Sequence, residues 1–222
     1  MSKNLWSQVD DYLGELFAPE DEALKAAIRD CQAAGLPDIA VTANQGKLLH
    51  VFAKVCAAKK ILEIGTLGAY STIWMARALP PDGQLVTLEI ESKHAAVARA
   101  NLARAGVDDA VRLIEGPAID SLAQLAAEYA GPFDLVFIDA NKDQIPEYFE
   151  GSLKLARPGS FLVVDNVVRE GAILDPQSDD ESVIGCRRLF DNLAKDARVS
   201  ATVVQTVGEK GHDGFVLAVV KS

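Results

Sequence analysis

ILEIGTLGAYS, Ile61 to Ser71, reads as a short apolar strand, a glycine-containing turn and the start of a helix. Gly65 and Gly68 allow close backbone approach, and the helix N-terminus behind them favours anionic or polar groups. A strand-turn-helix unit of this kind opens a parallel α/β sheet, whose ligands sit in the crevice beyond the carboxyl ends of the strands. The turn lacks the GxGxxG spacing of a dinucleotide fingerprint, which counts against a nicotinamide cofactor.

Downstream of this unit, strand and helix alternate. Strands are predicted at 60–64, 84–90, 110–115, 133–138 and 160–165. The Ala- and Leu-rich segments 71–79, 92–105, 118–129 and 142–155 carry helical periodicity. Alternation at these lengths implies βαβ units and a mostly parallel sheet. After a helix near 183–196, SATVVQTV and GFVLAVVK flank the turn-rich GEKGHDG and predict an antiparallel hairpin at the sheet edge.

Upstream, the first sixty residues read as helices. Leu5, Val9, Tyr12, Leu13 and Leu16 recur at helical spacing, as do Leu24, Ala27, Ile28 and Cys31. Gly35 and Pro37 stop the second helix, and a third spans about 44–57. Both stripes are assigned to the core, with a homodimer surface as the alternative. No repeat or long linker divides the chain, so one domain is expected over 1–222, a helical extension (1–58) preceding an α/β core (59–222).

The 222 residues suffice for a sizeable core, and 49% apolar with 24% charged is ordinary for a soluble globular protein. A net charge of −10 argues against a broad nucleic-acid footprint, which depends on Lys and Arg. Three scattered cysteines without CxxC spacing read as reduced thiols. The acidic, amphipathic N-terminus does not read as a signal peptide, and no run approaches the roughly 20 apolar residues needed to cross a bilayer. A cytoplasmic protein without a membrane partner is expected.

Two apolar strands end on aspartate: FDLVFIDANK, Phe133 to Lys142, and FLVVDNVV, Phe161 to Val168. Converging strand ends would gather Asp139, Asp165 and Asn166 as oxygen ligands for a hard divalent cation, with Lys142 one turn from Asp139. Glu89 ends the second strand, 24 residues after Gly65, where an acidic side chain can accept hydrogen bonds from ribose hydroxyls. Glu63 is unusual as a carboxylate inside an apolar strand. Its expected use is to orient the turn and offset a cofactor's positive charge, with a link to the N-terminal helices as the competing view. His50, His94 and His212 form no metal-ligand spacing.

Together, TANQGKLL, ILEIGTLGAYS, LVTLEIE, EGPAID, FIDANK and DNVVREG resemble the class I S-adenosylmethionine-dependent methyltransferases. More closely, the chain is similar to the cation-dependent O-methyltransferases that include catechol and caffeoyl-CoA O-methyltransferases. The resemblance implies a Rossmann-like, doubly wound sheet of seven strands with a reversed final hairpin. It also implies that the Val41 backbone, Gly46, Glu63, Gly65 and Ser71 surround the methionine part of S-adenosylmethionine. Glu89 would hold the ribose, and Gly116 and Ala118 the adenine edge. Asp139 would serve both the cofactor amine and the metal (Mg²⁺, Mn²⁺ or Ca²⁺), with Asp165 and Asn166 completing the metal ligands.

On this reading Lys142 takes the proton of the acceptor hydroxyl; as a base it must spend part of its time neutral, which nearby cations favour. The competing view pairs Lys142 with Asp143 or Glu147 at the surface. The implied acceptor is a small aromatic vicinal diol. Other readings remain open: modified tRNA as acceptor, a nicotinamide-dependent oxidoreductase, or a binding module without catalysis. Two departures stand out. Ala69 replaces the glycine many relatives carry, with Gly68 expected to preserve the turn. Arg169 and Glu170 follow the DN pair and would favour a polar or acidic substrate group if they face the pocket.

Overall fold

The computed structural model describes residues 3–222. Three helices come first, α1 (Lys3–Phe17), α2 (Glu22–Ala33) and α3 (Ala43–Val55). Strands and helices then alternate through β1 (Lys60–Ile64), α4 (Tyr70–Ala76), β2 (Gln84–Glu89), α5 (Ser92–Ala105) and β3 (Val111–Glu115). The second half contains α6 (Ala118–Ala127), β4 (Phe133–Ile138), α7 (Ile145–Leu153), β5 (Ala156–Val164), α8 (Glu181–Leu193), β6 (Val199–Gly208) and β7 (Gly211–Val220). Spatial order in the sheet is β3-β2-β1-β4-β5-β7-β6. The first five strands pair in parallel, and β7 runs antiparallel to both β5 and β6. The expected seven strands and reversed hairpin are therefore present.

Helices cover both faces, so the central strands are largely apolar, with Glu63 and Thr87 as buried polar exceptions. Their alternate residues serve opposite layers. Ile61, Leu135 and Phe137 pack with α2–α5, whereas Leu62, Ile64, Val136 and Ile138 pack with α6–α8. Glu63 falls on the first of these layers. The strand order reverses between β1 and β4, and at such a switch point the two neighbouring loops diverge and leave a crevice.

Local chemistry moves several element boundaries. The segment expected as one helix over 142–155 is a 3₁₀ turn, Lys142–Gln144, followed by α7. Pro146 causes the break: with no N–H it starts a helix but cannot continue one. The hairpin turn shrinks from the expected seven residues to Glu209 and Lys210, because Gly208 pairs with Gly211. His212, Asp213 and Gly214 thereby join β7.

The N-terminal stripe departs from its core assignment. In α2, Leu24, Ala27 and Cys31 are buried as expected, below an N-cap in which Asp21 accepts from the Leu24 N–H at 3.0 Å. In α1, by contrast, Leu5, Val9, Tyr12, Leu13 and Leu16 are exposed, Tyr12 at 64%. The helix turns its other face inward. Asp10 accepts from the Glu209 N–H at 2.8 Å, its carbonyl accepts from Asn44 Nδ2 at 2.9 Å, and Gly14 lies against the Asn44 side chain. Polar anchors, and the close approach of Gly208 to the Asp10 carboxylate, set the rotation of α1 and leave its apolar side outward. Among the described residues no helix is long and apolar enough to cross a membrane.

Candidate active site

A cavity of about 660 Å³ opens above the carboxyl ends of β1, β2, β4 and β5. Its wall includes Val41, Gly65, Ser71, Glu89, Gly116, Ala118, Asp139, Lys142 and Asn166. Most of the residues singled out from sequence thus come together. Gly46 does not reach this wall: it is buried in α3 where a Cβ would lie 2.3 Å from Trp74 Cδ1. Its smallness seats α3 on the Trp74 indole.

The glycine turn is held by its neighbours. Gly65 adopts φ 99°, and a Cβ there would stand 2.1 Å from the Asp139 carbonyl oxygen. Only glycine fits that approach between the β1 and β4 ends. Gly68 has a different role from the one expected. The left-handed residues here are Leu67, at φ 49°, and Ala69 itself, at φ 67°, whereas Gly68 makes room for Cys31, whose Sγ would be 2.0 Å from its Cβ. An alanine in this conformation costs roughly 1–2 kcal/mol, which the fully buried surroundings hold in place.

Glu89 closes the turn. Its Oε2 accepts from the N–H groups of Thr66 (3.2 Å) and Leu67 (2.7 Å), and its Oε1 accepts from Glu91 N–H (2.9 Å). His94 Nδ1 lies 3.4 Å from the same Oε1. This histidine, in the first turn of α5, also lines the cavity, although the sequence set it aside for want of metal-ligand spacing.

Glu63 is fully buried, one layer behind the cavity. The hydroxyls of Ser71 (2.6 Å) and Thr87 (2.7 Å) donate to it, as does that of Thr72. These partners lie on α4 and β2, so the alternative of a link to the N-terminal helices does not hold. Burial pushes its pKa up to about 7, against the downward pull of the three hydroxyls and with a further upward contribution from Asp139.

A carboxyl whose folded pKa exceeds its ordinary value of 4.5 favours folding below that value, and this stability is lost as pH rises to about 7. Over that window the expected loss is about 3 kcal/mol. Glu63→Gln should flatten this limb of the stability curve, read as denaturation midpoints over a pH series. An unchanged slope in the variant would assign the pH dependence to other groups.

At the other end of the cavity, Lys142 Nζ donates to Asp139 Oδ1 at 2.7 Å, and the lysine side chain is only 9% exposed. The surface pairing considered for Lys142 is not formed: Glu147 pairs with Arg188 instead. Asp165 is 3% exposed, accepts from Asn166 N–H at 2.8 Å, and is also bonded by Gln45 Nε2. Burial first and the Asp139 carboxylate second raise its pKa, while Lys142 pulls it down. The Asp139 charge thus disfavours charge on Asp165, and a cation bound near carboxylates of this kind would relieve that cost. No group of three or more His, Cys, Asp or Glu able to hold a metal occurs among the described residues. Asp139, Asp165 and Asn166 contain only two such acids, so the metal assignment rests on the amide as third donor.

Asp213 is a further residue that sequence reading missed. From β7 its Oδ1 accepts the N–H groups of Val168 (2.9 Å) and Arg169 (3.1 Å), fixing the loop after the DN pair.

Residues 15–220 match the family model for O-methyltransferase. The chain is 50% identical over 221 residues to a catechol O-methyltransferase of Niastella koreensis, covering 100% of both. Among solved structures it is similar to the O-methyltransferase TomG of Streptomyces achromogenes, involved in tomaymycin synthesis and determined in complex with SAM. The TM-score is 0.97 at 52% identity, over 100% of both chains. An O-methyltransferase from Bacillus cereus in complex with SAH gives 0.97 at 48% identity, over 99% of this chain and 100% of that one.

Proposed function

Because this chain belongs to the O-methyltransferase family, we propose that it transfers the methyl group of S-adenosylmethionine to one hydroxyl of a small aromatic vicinal diol, assisted by a divalent cation. The observation that carries this reading is the composition of the cavity above the strand ends. Its glycine turn and Glu89 suit a ribose-bearing cofactor, and Asp139, Lys142 and Asn166 lie at the other end.

Each side chain has a role in this reading. Gly65 and Ser71 bound the methionine part, with Glu63 behind them contributing negative charge against a sulfonium. Glu89 takes the ribose hydroxyls, and Gly116 and Ala118 flank the adenine. S-adenosylmethionine supplies an electrophilic methyl group and leaves as a neutral thioether. Asp139, Asp165 and Asn166 would hold the cation, which when bound favours ionisation of an acceptor hydroxyl and holds a diol in one orientation. Lys142, in its neutral amine form released from the Asp139 ion pair, accepts the hydroxyl proton at Nζ and becomes an ammonium, and the acceptor oxygen forms the new bond to carbon as the sulfur–carbon bond breaks. Alignment of the two reactants by the cavity wall contributes about 7–11 kcal/mol to such a displacement.

The test is methyl transfer to catechol and to phenol, with and without a chelator. Catechol should be methylated and phenol not, and activity should fall on chelation and return with added Mg²⁺. Chelator-insensitive methylation would remove the cation from this reading, and equal turnover of phenol would remove the diol.

A further inference from the structure

The loop after the DN pair carries a charge that the reaction above does not use. Arg169 lines the cavity beside Asn166, Lys142 and Tyr148, and it is only partly exposed. Its guanidinium takes part in no hydrogen bond or ion pair among the described residues. Every other arginine does: Arg29, Arg77, Arg99, Arg104, Arg112, Arg157, Arg188 and Arg198 pair with carboxylates, and Arg187 donates to the Ile173 carbonyl. The neighbouring acids make their own hydrogen bonds elsewhere or are exposed, and Asp180 feels the Arg169 charge without forming an ion pair with it. Asp139 is bonded to Lys142, Asp180 caps Ser182 at 2.7 Å, and Glu170 is exposed.

The backbone here is also held against its preference. Arg169 and Glu170 both have φ 55°, and Gly171 has φ 87°. Left-handed non-glycine residues cost of order 1–3 kcal/mol each and persist only where their surroundings impose them. Asp213 is what imposes this one, through the N–H groups of Val168 and Arg169. An unpaired, partly desolvated guanidinium on a clamped backbone is a preformed receptor for a planar anion.

We infer that Arg169 sets acceptor specificity by pairing with a carboxylate carried on the aromatic ring, so that the favoured acceptors are vicinal diols bearing an acid. This rests on the methyltransferase reading and narrows its substrate class. The test compares kcat/KM for 3,4-dihydroxybenzoate, catechol and dopamine in the wild type, Arg169→Lys, Arg169→Leu and Arg169→Glu. The wild type should prefer the acid, and Arg169→Leu should lower the acid-to-catechol ratio by about 10- to 100-fold, mainly through KM. Arg169→Lys should retain part of the preference, and Arg169→Glu should shift it toward dopamine. An acid-to-catechol ratio that is the same in all four proteins overturns the inference while leaving diol methylation intact. If none of the three compounds is methylated by the wild type, the functional reading itself fails, and this inference with it.

Discussion

Lys142→Met is expected to lower kcat by about 10²- to 10⁴-fold, the usual contribution of a positioned acid–base group. The side chain is almost enclosed, and Nζ is within hydrogen-bonding distance of Asp139 at the end of β4. Methionine keeps much of the length and apolar stem, so the fold should survive and the loss should fall on the proton transfer. The pH profile separates this from a structural role. Without an internal base the variant depends on ionisation of the acceptor in solution, and its rate should climb with pH beyond the point where the wild type levels off. A variant with wild-type kcat, or a loss of the same factor at every pH, would take the base role from Lys142.

Glu89→Ala is expected to weaken cofactor binding by about 100-fold or more, since each hydrogen bond to a charged group contributes about 1.5–3 kcal/mol. The carboxylate also closes the glycine turn through Thr66, Leu67 and Glu91. Removing it leaves donors without an acceptor, one of them buried, at a cost of about 1–3 kcal/mol, so Tm should fall as well. Glu89→Gln keeps one acceptor oxygen and should lie between the two in both measurements. Calorimetric titration with S-adenosylhomocysteine reads the binding effect directly. A lowered Tm with unchanged affinity would leave Glu89 as a turn cap and nothing more.

The sheet was legible from the sequence because its strands are buried on both faces and their ends carry chemistry. FIDANK and DNVV place Asp139, Asp165 and Asn166 at strand termini by length alone, and the Gly65 turn and Glu89 follow from the same logic. What could not be read depends on partners remote in sequence. Asp213 acts 44 residues from Arg169, Gln45 acts 120 residues from Asp165, and nothing local to either marks the contact. The α1 stripe shows the other limit. Periodicity finds an apolar face but not what that face meets, and here the narrow strip through Asp10 and Gly14 decides the docking. Gly46 was given to the cofactor by resemblance, while its position against Trp74 is a matter of side-chain volume.

The pairing of β1 with β4 has a bearing on how the protein is made. Ile61 and Leu135 are sheet neighbours although 74 residues separate them, and Asp139 N–H donates to the Ile64 carbonyl at 2.9 Å. The first βαβ units can form from nearby sequence, but the Gly65 turn gains its opposing wall only when the fourth strand closes beside the first. Loop-closure entropy must be met before that contact forms, which slows folding in chains of high contact order. A chain in which the fourth strand has not yet joined the first therefore holds a glycine turn with no opposing wall.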